Sequence, residues 1–445
     1  MTTSGATSDR AWARQLSTPH KLVLLGSLYL SQGLPFGFFT QALPVLLREQ
    51  GASLKEIGFT SVLALPWLLK VLWAPIVDAG PPSRLAFLGH HRAYLLPLQL
   101  AAVGVLFWVS GLDPSKSLLP VLVGVALTNL CAATQDIATD SLAVHVLDDD
   151  DRGAGNGVQV AAYRAGMILG GGTLLMFLDQ LGWAKSFWVM AGLLLLATLP
   201  VLLLRETPTT VGLQQTSTST SALPSAQERA SYFAVLRRAL SRQHLAAWCV
   251  VLVLFKVGDN FATGMVKPYL VDEGFSKADI GWMVGYLGFA ASLVGALVGG
   301  ALTSRIGRMQ ALFGFSLLQA IAVAGYAVVP YTGVHPDVLT AIVVADHLFG
   351  GMATAALFTC MMDTCHEGEA GTSFTVQASV VVLGTGLGSA LSGVSGDALG
   401  HETHFIVGAI ASFVCIAAAA FAPRVYHALR SSASTPATDS TGGAT

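Results

Sequence analysis

The sequence is dominated by apolar segments of membrane-spanning length, separated by short polar stretches. Because an α-helix rises about 1.5 Å per residue, about 20 apolar residues cross the hydrocarbon core of a bilayer. Inside that core every backbone polar group must be bonded within the protein, which only helices and closed barrels achieve. Continuous apolarity over this length predicts helices, so the chain is predicted to be an all-α integral membrane protein.

Twelve segments meet this criterion. They are residues 21–47, 54–78, 93–112, 118–146, 157–180, 184–204, 244–271, 278–303, 309–330, 337–365, 372–397 and 404–422. The stretch between the sixth and seventh is rich in serine and threonine and too poor in apolar residues to form a core. We therefore predict five parts: an N-terminal tail (1–20), a six-helix bundle (21–204), a linker (205–243), a second six-helix bundle (244–424) and a disordered C-terminal tail (425–445).

Composition excludes several classes of protein. Of the 445 residues, 53% are hydrophobic and only 11% are charged, against about 25% charged in a typical soluble domain. The formal net charge is −2, and the basic residues are dispersed, so nucleic acid is not expected as a partner. The five cysteines fall within predicted spans and lack the spacing of metal ligands, so we expect neither disulfides nor a metal. No nucleophile or phosphate-binding loop points to an enzyme, and no cofactor is expected.

The distribution of lysine and arginine predicts the orientation. Most of the 24 basic residues lie in segments on the side of the N-terminus. Those in the segments on the other side are Arg48, Lys55, Lys116, Lys185 and Lys277. Because basic residues concentrate in cytosolic loops, both tails and the linker are predicted to be cytosolic. The host membrane can be a plasma membrane, a bacterial inner membrane or an endomembrane.

A repeated motif indicates two related halves. "EQGASLKEIGF" (49–59) and "DEGFSKADIGW" (272–282) match at one constant offset, and each joins an odd-numbered span to the next even-numbered span. The same offset places Asp140 on Asp363. Internal repeats of this size are typical of secondary transporters. The sequence thus predicts two pseudo-symmetric bundles.

Four charged residues lie deep within the predicted spans of the first half, away from the span ends. Asp136 and Asp140 share one face of the fourth span, roughly 15 and 9 Å from its cytosolic end. Lys70 and Arg164 lie roughly 12 and 10 Å deep on the second and fifth spans. Charges in hydrocarbon are costly, and they mark functional sites unless they only pair with one another. Two interpretations stay open: a static ion-pair cluster, or a gate or anion-contacting site in which Lys70 and Arg164 are the cationic contacts.

Neutral polar side chains at similar depth extend this site. Gln32, Gln135 and Tyr163 lie within predicted spans and can offer hydrogen bonds to a solute. Amide-rich surfaces suit sugars, peptides and nucleotides alike. We predict that these three residues line the same pathway or gate.

A second group of charges lies in the other half. Lys256 and Asp259 are one helical turn apart on the seventh span, and Asp346 and His347 lie at a comparable depth on the tenth. A buried carboxylate beside a lysine can exchange protons when its surroundings change from wet to dry. Proton coupling or a central charge site is therefore one hypothesis, and a structural Lys256–Asp259 pair is the alternative.

Two charged loops are predicted to have simpler roles. "DDDDR" (148–152) lacks the ligand spacing of a calcium loop and is typical of a solvated turn. "GHHR" (89–92) contains two histidines that could bind a metal, but it is more typical of a basic loop near lipid headgroups.

Three motifs resemble a known family. "QGLPFG" (32–37), "LLKVLWAPIVDAG" (68–80) and "QDIATD" (135–140) are similar to one branch of the major facilitator superfamily. That branch contains bacterial muropeptide permeases, endomembrane acetyl-coenzyme A transporters and, most similar, the vertebrate major facilitator domain-containing protein 3 group. The resemblance implies two six-helix bundles, a central cavity lined by spans 1, 4, 7 and 10, alternating access, and anionic, amide-bearing solutes. It also implies that Asp78, which ends the second span, latches the bundles together.

These observations predict a secondary active transporter of a small, anionic organic solute, similar to acetyl-coenzyme A or a muropeptide, that works by alternating access. Its expected partners are the solute, protons if transport is coupled, and the lipid bilayer, and it is expected to be monomeric. The competing hypothesis is a sensor or scaffold that keeps the fold without carrying solute. Buried charges in both halves argue against it, since apolar packing would stabilise a purely structural bundle at least as well.

Overall fold

The computed structural model describes residues 16–49, 60–82, 84–114, 116–204, 244–332, 335–365 and 369–434, together with Glu206 and Arg237. Throughout these ranges the regular structure is helical. Ten described helices are long and apolar enough to cross a membrane. One apolar stretch, Ala370–Ser431, contains two spans because the backbone turns at Gly400 (φ 74°). With the shorter apolar helix Val62–Leu72, the described chain contains the twelve predicted spans.

Thirteen helices are numbered here in chain order. They are α1 (18–49), α2 (60–78), α3 (Arg92–Ser110), α4 (Leu119–Val146), α5 (152–181), α6 (Trp183–Leu203), α7 (Leu245–Asp272), α8 (277–306), α9 (308–332), α10 (Pro336–Asp363), α11 (370–399), α12 (401–421) and α13 (Ala422–Ser434). Three of them contain π-helical turns, at Phe38–Ala42 in α1, Ile168–Thr173 in α5 and Gly281–Gly288 in α8.

The helices form two bundles, as predicted. In the first, α1 packs against α5, and α3 packs against α4 and α6. In the second, α10 packs against α8 and α9, and α7 packs against the long α11–α12 stretch. The bundles meet where α5 contacts α8 and where α2 and α4 contact the α11–α12 stretch. The motif at 49–59, which suggested the repeat, lies almost entirely outside the described residues.

Close packing of α1 on α5 fixes where the polar residues of α5 lie. A Cβ atom added at Gly33 would overlap the carbonyl oxygen of Tyr163, and one added at Gly170 would overlap that of Leu34. In membranes, small residues let helix backbones approach and gain van der Waals contact. The glycines therefore hold Tyr163 and the neighbouring Arg164 at a fixed depth.

Prolines interrupt α2. It consists of a 3₁₀ turn at Thr60–Ala64, a helix at Leu65–Leu69, a second 3₁₀ turn at Lys70–Leu72 and a helix at Ala74–Asp78. A proline stands in the first turn of both short helices, where its missing N–H group costs least. The break sets Lys70 on a tight turn that points into the bundle, where it is 3% exposed.

The C-terminal segment differs from the prediction. Residues 425–445 were expected to be a disordered tail, but α13 continues as a helix to Ser434. It buries Val425, Tyr426 and Leu429 against the bundle, and this burial stabilises a helix that composition alone does not favour. The expectation of disorder is therefore corrected for 425–434, and residues 435–445 lie outside the described part. Most of the predicted linker also lies outside it.

Candidate functional site

One lysine joins two carboxylates inside the first bundle. Helix α1 starts, and helices α2, α4 and α10 end, on one side of the molecule. We call this side the terminal face, and the sequence predicts that it is cytosolic. The Nζ of Lys70 donates a hydrogen bond to Asp136 and lies 3.8 Å from Asp140 Oδ2. The hydroxyl of Tyr29 donates to Asp140 at 2.7 Å. Tyr29 was not predicted, because a tyrosine in an apolar helix gives no distinct signal.

Arg164 does not join this cluster, contrary to the prediction. Its guanidinium lies over the ring of Phe289 of α8, 5.5 Å from the centroid, and within the described residues it makes no ion pair. The charges of Asp259 and Asp346 act on it across the bundle boundary. The predicted depth was too small because α5 begins at Arg152 rather than at 157. Arg164 therefore lies roughly 18 Å along the helix, near the membrane midplane.

The four residues predicted in the second half do come together. Lys256 Nζ lies 3.7 Å from Asp259 Oδ2, and His347 Nδ1 lies 3.8 Å from Asp346 Oδ2. Gln319 of α9 connects the two pairs, because its Nε2 donates to Asp259 at 2.7 Å and to Asp346 at 3.3 Å. One amide thus holds two carboxylates from different helices close to each other.

Two contributors to this central group were not predicted. Gln319 is a polar residue in an apolar span, a signal that sequence analysis could have used. Tyr326 donates its hydroxyl to Asp346 at 3.3 Å. A cavity of about 20 Å³, room for about one water molecule, adjoins Asp259, Ser316 and Ser412. Asp259 therefore borders a small cavity within the second bundle, in which Ser316, Gln319 and Ser412 are the other polar lining residues.

The predicted amides are buried in the first bundle. Gln32 donates from Nε2 to Thr139 at 3.1 Å, and Gln135 donates from Nε2 to Ser31 at 2.9 Å. Both side chains link α1 to α4. In this conformation they bond to protein groups, so a solute contact by either stays a prediction.

Tyr163 belongs to an aromatic group beside Arg164. Its ring lies 5.7 Å from Phe36 and 6.3 Å from Trp67, measured between centroids. The Nε1 of Trp67 and the Nε of Arg164 are buried and find no hydrogen-bond partner among the described residues. Buried donors normally have partners. Two unused donors beside an aromatic surface suit a ligand with acceptor groups and a ring or apolar part.

On the terminal face, Asp78 joins the two bundles. Its Oδ1 accepts a hydrogen bond from the backbone N–H of Gly371 at 3.0 Å, and its Oδ2 accepts one from Thr372 at 2.5 Å. These N–H groups belong to the first turn of α11, where a carboxylate satisfies free donors and complements the helix dipole. The contact fits the latch that the family resemblance implied.

A second contact between bundles centres on Asp363 of α10. This carboxylate accepts hydrogen bonds from Arg152 of α5 at 2.9 Å, from Arg308 of α9 at 3.1 Å and from Tyr426 of α13 at 2.6 Å. Its side chain is 0% exposed. A buried carboxylate with three donors, one of them from the other bundle, ties the terminal face together.

The acidic loop before α5 is a turn with exposed Asp148 and Asp149, as predicted, and it also takes part in the same network. Asp149 lies 2.8 Å from Arg152 and 2.6 Å from Arg430 of α13. Asp148 and Asp151 both contact Lys21 of α1, at 2.8 and 3.4 Å. The loop thus connects the ends of α1, α5 and α13.

We expect Asp363→Asn to loosen the terminal face. The amide keeps the size of the carboxylate but leaves Arg152 and Arg308 without a buried counter-charge, at a cost of about 3–5 kcal/mol. Spin labels at the exposed residues His20 and Arg424, in a cysteine-free background, should report a longer and broader distance distribution than in the parent protein. The matched control Asp113→Asn, which removes the exposed Lys116–Asp113 pair, should leave the distribution unchanged. An unchanged distribution in Asp363→Asn would contradict this closing role.

The loop "GHHR" is buried rather than exposed to lipid headgroups. His91 Nδ1 lies 2.6 Å from Glu206 Oε1 at the start of the linker, and the N–H of Arg92 donates to Glu206 Oε2 at 2.9 Å. Burial alone would raise the pKa of Glu206, but His91 and these hydrogen bonds hold it below its usual range. Glu206 therefore fixes the beginning of the linker to the beginning of α3, a role the sequence did not suggest.

The remaining expectations concern metals and cysteines. Among the residues that the structure describes, no group of histidine, cysteine and acidic side chains could hold a metal ion. Within the described structure the five cysteines form no disulfide with one another, and Cys360 and Cys365 are buried.

Known proteins match this chain over most of its length. A family model described as Major Facilitator Superfamily matches residues 25–384. The anhydromuropeptide permease of Escherichia coli (strain K12) is 31% identical over 399 residues, covering 89% of this chain and 78% of the permease. The putative transporter AmpG 4 of Rickettsia conorii (strain ATCC VR-613 / Malish 7) is 23% identical over 366 residues, covering 82% of this chain and 87% of that protein.

Solved structures agree with the fold. The transporter FucP in its outward conformation superposes with a TM-score of 0.63 at 16% identity, covering 93% of this chain and 99% of FucP. The human organic anion transporter MFSD10 superposes with a TM-score of 0.63 at 15% identity, covering 90% of this chain and 99% of that one. At these identities the superpositions show the fold alone.

Proposed function

Because this chain belongs to the Major Facilitator Superfamily and is a secondary transporter, we propose that it carries an anionic, amide-bearing organic solute that contacts Arg164. The single observation behind this proposal is the position of that arginine. It lies near the membrane midplane between the bundles, partly exposed, with an unused Nε donor and no ion pair among the described residues. An arginine that lies at this depth without an ion pair indicates a functional site, because an unpaired charge inside the membrane is costly.

The chemistry of the solute follows from Arg164 and its neighbours. A guanidinium binds carboxylate or phosphate through parallel hydrogen bonds, and Tyr163, the preceding residue of α5, belongs to a ring cluster with Phe36 and Trp67. The 31% identical relative is named an anhydromuropeptide permease, and a muropeptide combines carboxylates, amides and sugar rings. We therefore favour a muropeptide-like solute over acetyl-coenzyme A, which offers phosphates and a base to the same groups.

Reconstitution tests this proposal. Purified protein in vesicles loaded with unlabelled anhydro-muropeptide should exchange it for labelled muropeptide with saturable kinetics, and acetyl-coenzyme A should compete weakly. Saturable exchange of acetyl-coenzyme A alone would reassign the solute within the anionic class. Flux that rises linearly with concentration, or no flux with any anion, would overturn the carrier assignment and favour a channel or a scaffold.

The contacts on the terminal face support alternating access with this face closed. Asp78 and Asp363 each bind groups of the opposite bundle, so both contacts must break when the face opens. We propose that the face is cytosolic, in line with its basic residues. We also propose that Lys70, Asp136 and Asp140 form a gate beside it, whose ion pairs rearrange as the bundles move.

Proton coupling is proposed at the central group of the second bundle. Asp259 and Asp346 share the donor Gln319, lie close to His347 and act electrostatically on Arg164. Two carboxylates this close favour uptake of one proton. An anion bound at Arg164 would compete with them for that positive charge, so solute and proton would bind together.

Asp259→Asn tests this coupling. We expect the variant to lose solute accumulation driven by a pH gradient, because the amide cannot take up or release the proton. Solute exchange without a gradient should continue, because exchange needs no net proton movement. The matched control Asp272→Asn, at the exposed end of the same helix, should retain both activities. Accumulation at the parental level in Asp259→Asn would remove this residue from the coupling mechanism.

A further inference from the structure

A groove on the terminal face lies outside the solute pathway. It has a volume of about 580 Å³ and runs between the beginning of α9 and α13. Arg308 and Phe313 of α9 form one wall, and Pro423, His427 and Arg430 of α13 contribute to the other. The groove is lined only by the first residues of α9 and by α13, and neither Arg164 nor the central group around Gln319 contributes to it.

Basic side chains line the groove. Arg308 and Arg430 reach into it from opposite walls while part of each guanidinium bonds to Asp363 or Asp149, and His427 is exposed on the α13 wall. The first turn of α9 carries no acidic residue, and no side chain caps it, so the positive end of its helix dipole adds to the same field. The rim therefore complements an anion.

The groove also opens toward lipid. Phe313 lines it, and further along α9 the apolar side chains of Leu317 and Ile321 are 45% and 55% exposed. On the neighbouring α12, Ile410 and Val414 are 57% and 58% exposed. Apolar side chains exposed on membrane helices face acyl chains. A cationic rim above an apolar wall has the two-part character of a phospholipid.

We propose that this groove binds an anionic phospholipid of the leaflet on the terminal face. Its phosphate lies between Arg308, His427 and Arg430, and its acyl chains run along Phe313 toward Leu317. A free phosphate ester shares the headgroup chemistry, but it has no part that would cover the apolar wall. Arg308 and Arg430 also contact the inter-bundle network, so the bound lipid lies next to the groups that close this face.

Lipid titration followed by native mass spectrometry tests the proposal. Full-length protein should retain phosphatidylglycerol more tightly than phosphatidylcholine, and His427→Glu should weaken phosphatidylglycerol retention about fivefold for the added negative charge. His427 is suitable because it is exposed, packs edge-on against the ring of Tyr426 and makes no ion pair with any residue that the structure describes. The matched control His20→Glu places the same charge on the same face of the first bundle and should retain phosphatidylglycerol normally.

Two further measurements fix the source of the anion and the site. In neutral nanodiscs, added phosphatidylglycerol should raise the melting temperature of the protein, and inorganic phosphate should not. Equal stabilisation by inorganic phosphate would show a site for a free anion and overturn the lipid assignment. On the parent protein, a photoreactive phosphatidylglycerol should label peptides from 307–313 and 423–430. Labelling elsewhere, or undiminished retention by His427→Glu, would also reject the groove.

Discussion

Replacing Arg164 with alanine is expected to lower solute transport by about tenfold or more while the protein still reaches the membrane. Each hydrogen bond between a charged group and its partner contributes about 1.5–3 kcal/mol, so loss of a guanidinium that binds an anion should lower transport by about tenfold to over a hundredfold. Folding should be largely retained, because in this conformation the guanidinium lies over Phe289 and makes no ion pair among the described residues. Reconstituted exchange, normalised to the amount of folded protein, measures the effect.

Two companion variants show why transport fails. Arg164→Lys keeps the charge but loses the planar fork, so we expect partial activity with a raised KM and a nearly unchanged maximal rate. Arg305→Ala removes an exposed arginine from the terminal-face end of α8 and should behave like the parent. Normal exchange by Arg164→Ala would overturn the proposed anion contact and leave the solute site unassigned.

Replacing Lys70 with methionine is expected to be the most destabilising of these changes. Methionine keeps the length of the side chain, but Asp136 and Asp140 lose the cation that they share within a few ångströms. Removing one partner of a buried ion pair typically costs about 3–5 kcal/mol, a large share of the stability of most proteins. We expect a lower yield of monodisperse protein and a lower melting temperature in detergent.

A triple variant separates a gate from a static cluster. Lys70→Met combined with Asp136→Asn and Asp140→Asn removes all three charges, so most of the lost stability should return. If the cluster is a gate, the folded triple variant should still bind solute but should exchange it more slowly than the parent protein. Parental exchange rates in a stable triple variant would show that the cluster is static, the alternative that the sequence left open.

The spans were predictable because continuous apolarity is a strong signal, whereas helix starts were not. The stretch "RGAGN" (152–156) is polar and rich in glycine and suggests a loop, yet it forms the first turns of α5. Arg152 is bonded to Asp363, and Asn156 donates to the carbonyl of Arg152 at 2.8 Å. Tertiary contacts outweigh local propensity here. That difference of five residues placed Arg164 at the wrong depth and in the wrong cluster.

Charge pairs on adjacent helical turns could be predicted, and contacts between bundles could not. Lys256 and Asp259 are three residues apart, so helix geometry alone brings them together. Arg152 and Asp363 are separated by 211 residues. A single sequence carries no information about the distance between two residues that belong to different bundles. The network around Asp149 and α13 was therefore missed, although each of its residues is visibly charged.

The broken helix α2 has a consequence for how the protein enters the membrane. Lys70 is synthesised 66 residues before Asp136, an interval of about 3–13 s at typical translation rates. A lone lysine at the centre of a helix costs about 2.5–3.5 kcal/mol during insertion. We expect α2 to stay beside the insertion machinery or at the membrane surface until α4 arrives with its carboxylates. Biogenesis of the first bundle would then proceed by joint insertion of α2 and α4 rather than helix by helix.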